Sequence, residues 1–127
     1  MTRQNISSGT PWEALAGYSR AVRVGNQVYV SGTTASDASG AVQNPGDAAG
    51  QARYVFNKIA AALAEAGATL EDVVRTRVFV RDLADWEAVA RAHGEVFGAI
   101  RPANTLVRAE MIQPEMLVEI EAVAIIQ

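Results

Sequence analysis

The order of helix-forming and strand-forming segments limits the folds open to this chain more than any other feature. Residues 47–66 and a segment from Asp82 or Asp85 to Gly98 carry apolar side chains at intervals of three and four, which predicts two amphipathic helices. The stripes comprise Ala52, Val55, Phe56, Ile59, Leu63 and Ala66 in the first helix, and Trp86, Val89, His93, Val96 and Phe97 in the second. Asp47 is expected to cap the first helix and Gly67 to end it, and each helix has one face that needs a partner surface.

Strand-like segments supply that partner. The predicted strands are 21–24, 27–31, 73–81, 105–110 and 117–125, and the first and last pairs are expected to be hairpins. Residues 1–16 are polar and contain Gly9 and Pro11, so an irregular arm is expected there. This order predicts an α+β fold with one mixed sheet and two helices packed on one face. No repeat or linker interrupts the pattern, which favours a single domain over residues 1–127.

The sheet face opposite the helices also needs a cover. Along the predicted strand 73–81, one face carries Val74, Thr76, Val78 and Val80. The other face mixes charged with apolar groups: Arg75, Arg77, Phe79 and Arg81. Such a surface suits contact with other subunits, and self-association buries more surface than one small domain can bury alone.

Composition excludes several kinds of site and partner. The chain has no cysteine and one histidine, His93, which excludes disulfides, thiolate catalysis and a cysteine- or histidine-rich metal site within one chain. The formal net charge is −3 and the basic residues are scattered, so no nucleic-acid partner is expected. No segment resembles a secretory signal or the ~18 apolar residues of a membrane span, so a cytoplasmic protein without membrane contact is expected.

Two glutamates on the last predicted strand are candidates for acid–base chemistry. Glu119 and Glu121 lie two residues apart and so share one face of the strand. Cross-strand ion pairs with Arg75 and Arg77 would explain the same two side chains without any chemistry. The structural interpretation is the better one for at least one of the two glutamates.

His93 and the Ser31-Gly32 pair also have two interpretations. His93 lies on an apolar helix stripe, where packing is a commoner role than catalysis. Ser31 and Gly32 end a predicted strand, where a hydroxyl and an open backbone can hold an oxyanion, although such residues also end strands for conformational reasons. The sequence contains no phosphate-binding glycine loop and no nucleophile elbow.

Three stretches carry a resemblance to a known family. They are AGYSRAVRVGNQVYVSGTT, AGQARYVFNKIAAALAEAGATLEDVVRTRVFVRDLADWEAV and RPANTLVRAEMIQPEMLVEIEAVAI, and together they span nearly the whole chain. The chain resembles the reactive intermediate deaminase (Rid) family, also called the YjgF or RidA family. The resemblance implies a chorismate-mutase-like fold and a homotrimer, with a central barrel and ligand clefts between subunits. It also implies hydrolysis of reactive imines or enamines to 2-oxo acids and ammonia, with no metal or organic cofactor. Some members carry ribonuclease names, an activity that the acidic composition and the single histidine argue against here.

The resemblance further implies which residues would line the cleft. They are Tyr18, Ser31, Gly32, Asn104 and Glu119, with His93 at the mouth. Deaminating members have an arginine at the position of Asn104, and that arginine grips the substrate carboxylate with two hydrogen bonds. Arg101, Arg108 or an arginine from a neighbouring subunit are the possible replacements.

The function implied is therefore hydrolysis of a small imine, enamine or related metabolite, with Glu119 as the catalytic residue. Activity on ordinary 2-imino acids is expected to be weak or absent, because Asn104 carries no charge. A non-catalytic trimer that binds a metabolite for regulation is the alternative.

Overall fold

Six strands form one mixed sheet, accompanied by three helices, in the computed structural model, which describes residues 2–127. The strands are β1 (Arg3–Ile6), β2 (Ala21–Val24), β3 (Gln27–Thr34), β4 (Val73–Val80), β5 (Ala103–Arg108) and β6 (Val118–Ile125). The helices are α1 (Pro11–Ala16), α2 (Ala48–Glu65) and α3 (Trp86–Phe97), with 3-10 turns at Leu70–Asp72 and Leu83–Asp85. The strand order is β1-β2-β3-β6-β4-β5, and all neighbours are antiparallel except β4 and β5. The predicted α+β class is confirmed.

The core lies between the sheet and helices α2 and α3. All six residues of the first predicted stripe are buried in α2, and alternate residues of β6 are buried beneath them. The β6 residues are Val118, Ile120, Ala122 and Ala124. Burying one large aliphatic side chain contributes about 1.5–3 kcal/mol, so this layer is the main source of hydrophobic stabilisation. No helix within residues 2–127 is long and apolar enough to cross a bilayer.

Local chemistry sets both ends of α2. The Asp47 side chain accepts a hydrogen bond from the Gly50 amide at 2.9 Å, which confirms the predicted cap. Beyond the helix, Gly67 has a φ of +84°, and the Ala68 amide donates to the Leu63 carbonyl at 2.8 Å. A glycine relieves the strain of that left-handed turn, so the chain reverses towards β4 at low cost.

The prediction of an irregular arm over residues 1–16 is wrong for the described part, residues 2–16. Residues Arg3–Ile6 form β1 on the edge of the sheet beside β2, and α1 follows with Pro11 in its first turn. Only Ile6 is buried in β1, so this short strand has almost no hydrophobic pattern of its own. These residues form a strand because their backbone pairs with the edge of β2 that would otherwise be unpaired. Met1 lies outside the described residues.

Of the two predicted hairpins, the first is confirmed and the second is wrong. β2 and β3 pair around Gly25-Asn26, whereas β5 pairs parallel with β4, and β6 lies between β3 and β4. β6 buries every second residue and has a neighbour on both sides, while five of the six β5 residues are exposed at the sheet edge. Arg81 holds the connecting loop by donating to the Met111 carbonyl at 2.8 Å and to the Met116 carbonyl at 3.1 Å.

Trp86, from the second predicted helix stripe, and Val74, from the more apolar face of the predicted strand 73–81, are both exposed. Trp86 is 51% exposed because it is the first residue of α3, and the contacts of that helix with the core begin one turn later at Val89. Val74 is exposed because the pairing register with β6 shifts between Val73 and Arg75, which turns Val73 into the core instead. Irregular pairing of this kind does not show in an alternating sequence.

A β-bulge interrupts β3 where it pairs with β6. The register shifts between Val30 and Thr33, so Ser31 and Gly32 together stand opposite the single residue Glu121. Bulges redirect the side chains of a strand, and this one lies beside several of the predicted site residues.

Candidate functional site

One group of predicted site residues meets at the bulge. Glu119 on β6 lies over Gly32, and a Cβ atom at position 32 would overlap the Glu119 carboxylate. Ser31 uses its hydroxyl hydrogen in a 2.7 Å bond to a backbone carbonyl, and Tyr18 is 39% exposed nearby. We name Tyr18, Ser31, Gly32 and Glu119 the Glu119 cluster. The sequence predicted all four of its members.

Glu119 is a half-buried carboxylate that has no hydrogen-bonding or ion-pair partner within residues 2–127. Burial raises its pKa, the positive charge of Arg20 opposes this rise, and the charge of Glu121 adds to it. A carboxylate with a raised pKa and free lone pairs is suited to accept a proton from water.

Glu121, its neighbour on the same strand face, has the ion-pair partner that Glu119 lacks in the described part of the chain. Its carboxylate receives a hydrogen bond from Arg77 at 2.8 Å, and both side chains are substantially exposed. This is the cross-strand pair that the sequence predicted as the structural alternative. The two glutamates therefore divide: Glu121 is paired and Glu119 is free.

Arg20 organises the Glu119 cluster, although no pattern in the sequence indicates this role. Its side chain is 5% exposed, and Nη1 donates to the Gly32 carbonyl at 2.6 Å and to the Thr33 hydroxyl at 3.0 Å. Nη2 lies 3.4 Å from the Tyr18 hydroxyl, and the guanidinium stacks 5.6 Å from the centre of the Tyr18 ring. Arg20 thus ties Tyr18 to the bulge.

A buried glutamate compensates the charge of Arg20. The carboxylate of Glu13 lies 3.6 Å from the Arg20 Nε and accepts hydrogen bonds from Ser7, Ser8 and Thr10. Burial alone would raise the pKa of Glu13, but the hydrogen bonds from Ser8, Thr10 and Ser7 outweigh it and lower that pKa to about 2. Because Arg20 is 5% exposed and its Nη1 donates to two groups of its own chain, it is poorly placed to grip a substrate carboxylate.

The other predicted site residues form a separate group on β4, β5 and α3. Asn104 stands opposite Thr76 across the parallel strand pair, and its Nδ2 donates to the Thr76 hydroxyl at 2.9 Å. The same hydroxyl lies 2.8 Å from the Nε2 of His93. We name Thr76, His93 and Asn104 the Asn104 cluster. Thr76 was not predicted, because its role depends on a strand register that the sequence does not reveal.

His93 combines packing with a polar contact. Its ring centre lies 4.7 Å from that of Phe97 and 5.8 Å from that of Phe56, so the packing role expected from the sequence is present. Burial lowers its pKa, which keeps the imidazole neutral at neutral pH. Beside it, a cavity of about 180 Å³ is lined by Val78, Val89, Ala90, His93, Asn104 and Leu106.

The two clusters do not meet within one chain. Glu119 stands opposite Phe79 on the face of the sheet away from the helices, whereas Asn104 and Thr76 face α3. Strand β4 also separates β6, which carries Glu119, from β5, which carries Asn104. The residues predicted to line one cleft are therefore divided into two separate groups.

Neither arginine suggested as a replacement cation joins the Asn104 cluster. Arg101 is exposed, has a φ of +56°, and donates from Nε to the Gly98 carbonyl at 3.1 Å. Arg108 shares a strand face with Asn104 but is exposed, and neither arginine lines the cavity beside His93. Within residues 2–127, no three histidine, aspartate or glutamate side chains are grouped so as to hold a metal ion.

Comparison with known proteins identifies the family. A family model described as Endoribonuclease L-PSP matches residues 9–126. The chain belongs to the endoribonuclease L-PSP family. The 3-aminoacrylate deaminase RutC of Acinetobacter baylyi is 40% identical over 119 residues, which cover 94% of this chain and 94% of the relative. A RutC family protein of Pyrococcus abyssi is 33% identical and covers 98% of each chain.

Solved structures of L-PSP family proteins share the fold. A Mycobacterium tuberculosis protein of the YjgF/YER057c/UK114 family is 46% identical, with a TM-score of 0.88 over 98% of this chain and 100% of its own. The YjgF gene product of Escherichia coli is 30% identical, with a TM-score of 0.83 over 98% and 99% of the two chains. The resemblance to the YjgF family is confirmed.

Proposed function

We propose that this chain is a hydrolase of a small reactive imine or enamine, acting in clefts that form between copies of the chain in a homotrimer. The observation that carries the proposal is Glu119, an unpaired carboxylate of raised pKa held over Gly32. The deaminase name of the relative from Acinetobacter baylyi supports the reaction class.

The chemistry assigns one step to each member of the Glu119 cluster. Hydrolysis of an imine begins when a water oxygen bonds to the imine carbon, and Glu119 accepts the proton that this water gives up. That proton passes to the nitrogen and gives a carbinolamine. Transfer of the remaining hydroxyl proton to the nitrogen then breaks the C–N bond, so that ammonia leaves and the carbon becomes a carbonyl. Tyr18 and Ser31 orient the substrate at the exposed side of the bulge, and the absence of a side chain at Gly32 leaves room for the carboxylate.

The division of the site supports assembly from several copies. The Glu119 cluster and the Asn104 cluster lie on opposite faces of the sheet, so they complete one pocket only where two chains meet. The sheet face away from the helices also carries exposed apolar groups, Tyr29 at 48% and Val107 at 44% among them. It contains a cavity of about 240 Å³ bordered by Tyr29, Arg75 and Val123. Contact between copies would cover this face.

The uncharged Asn104 predicts the substrates that are disfavoured. Within one chain, the Asn104 cluster offers a carboxylate no guanidinium, because Arg101 and Arg108 lie outside the cavity beside His93 and Arg20 lies in the Glu119 cluster. Loss of such a charge-assisted contact costs ~2–4 kcal/mol, or a factor of roughly 30 to 1000 in affinity. Ordinary 2-imino acids are therefore expected to be poor substrates.

The test measures ammonia release from a panel of enzymatically generated imines and enamines, including 2-iminobutanoate made by a threonine dehydratase and 3-aminoacrylate. Glu119→Gln should abolish turnover of whichever substrate is accepted, whereas the matched control Glu121→Gln on the same strand face should retain it. Equal loss in both variants would contradict the assignment of Glu119. Rapid clearance of 2-iminobutanoate at catalytic protein concentration would contradict the interpretation of Asn104.

The alternative is a trimer that binds a metabolite without turnover. The missing cation at Asn104 favours this alternative, because the family arginine is the group that holds a substrate acid in place. Retained ligand binding with lost turnover in Glu119→Gln supports the enzyme. Ligand binding without any turnover in the unsubstituted protein supports the binding module.

A further inference from the structure

The hydrogen bonds of the Thr76 hydroxyl determine which ring nitrogen of His93 carries the proton. Thr76 is fully buried, and its oxygen contacts two nitrogens, Nδ2 of Asn104 and Nε2 of His93. The amide nitrogen of Asn104 can only donate, so the Thr76 hydrogen has one remaining acceptor, Nε2 of His93. Leaving that hydrogen unsatisfied in the interior would carry the penalty of a buried unpaired donor. His93 therefore carries its proton on Nδ1 and is neutral.

Two groups are then left to bind a ligand. One is the Nδ1–H of His93, a donor, and the other is the Oδ1 of Asn104, an acceptor, since neither has a hydrogen-bonding partner within residues 2–127. His93 and Asn104 both line the 180 Å³ cavity, and its other lining residues are Val78, Val89, Ala90 and Leu106, all apolar. Among the side chains that line the described part of the cavity, only those of His93 and Asn104 are polar, and none is charged.

We infer that the hydrogen bonds of the Asn104 cluster, which run from His93 through Thr76 to Asn104 and are called the relay below, select a neutral carboxamide group over the corresponding carboxylate. The carboxamide can be primary or secondary. The amide carbonyl oxygen accepts from the Nδ1–H of His93, and the amide N–H donates to the Oδ1 of Asn104. A carboxylate has no hydrogen to give to Asn104 and would set its negative charge against that oxygen, in a wall without a compensating cation.

This inference rests on the proposed function only in treating the carboxamide as part of the substrate. The binding preference itself needs no turnover, because the relay lies on β4, β5 and α3, away from Glu119. The cavity is smaller than the ~300 Å³ of typical pockets for drug-sized ligands, so it fits the end of a small metabolite.

The first test is the tautomer of His93, which is unambiguous because the chain has only one histidine. In ¹⁵N-labelled protein at pH 7, long-range ¹H–¹⁵N correlations should show the proton on Nδ1. In Asn104→Asp, the carboxylate accepts the Thr76 hydrogen, so the proton should move to Nε2 or the ring should become charged. A proton on Nε2 in the unsubstituted protein would overturn the inference.

The second test compares propionamide with propionate, a pair of nearly equal size. Propionamide should shift the His93 Nδ1–H and Asn104 side-chain signals and bind at least tenfold more tightly than propionate. Asn104→Arg should reverse this order, whereas Glu71→Gln, at an exposed position outside both clusters, should leave it unchanged. Equal or tighter binding of propionate to the unsubstituted protein would overturn the inference even if Asn104→Arg failed to fold.

The two proposals fail separately. Carboxamide preference without turnover of any imine would overturn the hydrolase and leave the relay standing. Turnover that depends on Glu119, together with no carboxamide preference, would overturn the relay and leave the hydrolase standing.

Discussion

Replacing Gly32 with alanine separates the position of Glu119 from its presence. The backbone of Gly32 does not adopt the left-handed φ that would penalise a side chain, so alanine fits the local conformation. The new Cβ would overlap the Glu119 carboxylate, which is the far end of a flexible side chain. The glutamate can therefore withdraw from the bulge while the fold remains intact.

The expected effects on stability and on catalysis differ in size. Withdrawal of an unpaired carboxylate breaks no hydrogen bond, so the free energy of unfolding should change by less than ~1 kcal/mol. The carboxylate must move by roughly 1 Å, and a displacement of that size can lower the rate by ~10². Complete loss of a general base would lower it by ~10² to 10⁴. We expect kcat to fall within that range.

Urea denaturation and the ammonia-release assay measure the two quantities on one preparation. Gly94→Ala is the matched control, because a Cβ at Gly94 meets no atom within 4 Å and the residue lies on an exposed turn of α3. That control should gain ~0.5–1 kcal/mol of stability and keep its activity. Full activity in Gly32→Ala would refute the role of Glu119. A loss of several kcal/mol would show that the carboxylate cannot leave the bulge.

Three further outcomes follow from the ion pairs, the pKa shifts and the backbone. The pKa of Glu13 is about 2 in the folded chain, below the ordinary 4.5, so the unfolded chain binds more protons between these two values. The free energy of unfolding should therefore fall by up to ~3 kcal/mol as the pH drops from about 4.5 to about 2. Acid denaturation curves of the unsubstituted protein and of Glu13→Gln test this, and the variant should lack this dependence of stability on pH. The variant should also be ~3–5 kcal/mol less stable at pH 7, because Arg20 loses its buried partner. Since burial raises the pKa of Glu119, turnover should rise with pH through a midpoint above 4.5, and an acid limb with a midpoint below 4.5 in the pH–rate profile would contradict this. Gly67→Ala should lower the free energy of unfolding by about 1–2 kcal/mol in urea titrations, because residue 67 has a φ of +84°, and an unchanged midpoint would argue against that conformation.

The sequence predicted elements whose signals are local. The buried stripe of α2, its cap at Asp47 and the turn at Gly67 depend on residues within a few positions of each other. The position of β6 depends on pairing with a strand on each side, β3 and β4, which are distant from it in sequence. A hairpin between β5 and β6 was therefore the wrong inference from their closeness in sequence. β1 escaped prediction because four mostly exposed residues become a strand only beside β2.

The same difference between local and long-range signals explains which residues of the candidate site were predicted. Glu119 and Gly32 were predicted as site residues from their positions on the strands and from the family resemblance. The pair of Arg20 and Glu13 was missed, because a buried ion pair between an α1 residue and the residue before β2 leaves no periodic pattern. Thr76 was placed only on a strand face, since its contacts with Asn104 and His93 arise from the parallel register of β4 and β5.

The placement of Glu119 and Asn104 on opposite faces has a genetic consequence for the proposed trimer. Each pocket would take its carboxylate from one chain and its amide from another, so a lesion at Glu119 and a lesion at Asn104 could be carried by different chains of one assembly. Some pockets of such a mixed particle would then contain both intact residues, and two alleles that are inactive alone would rescue each other when co-expressed.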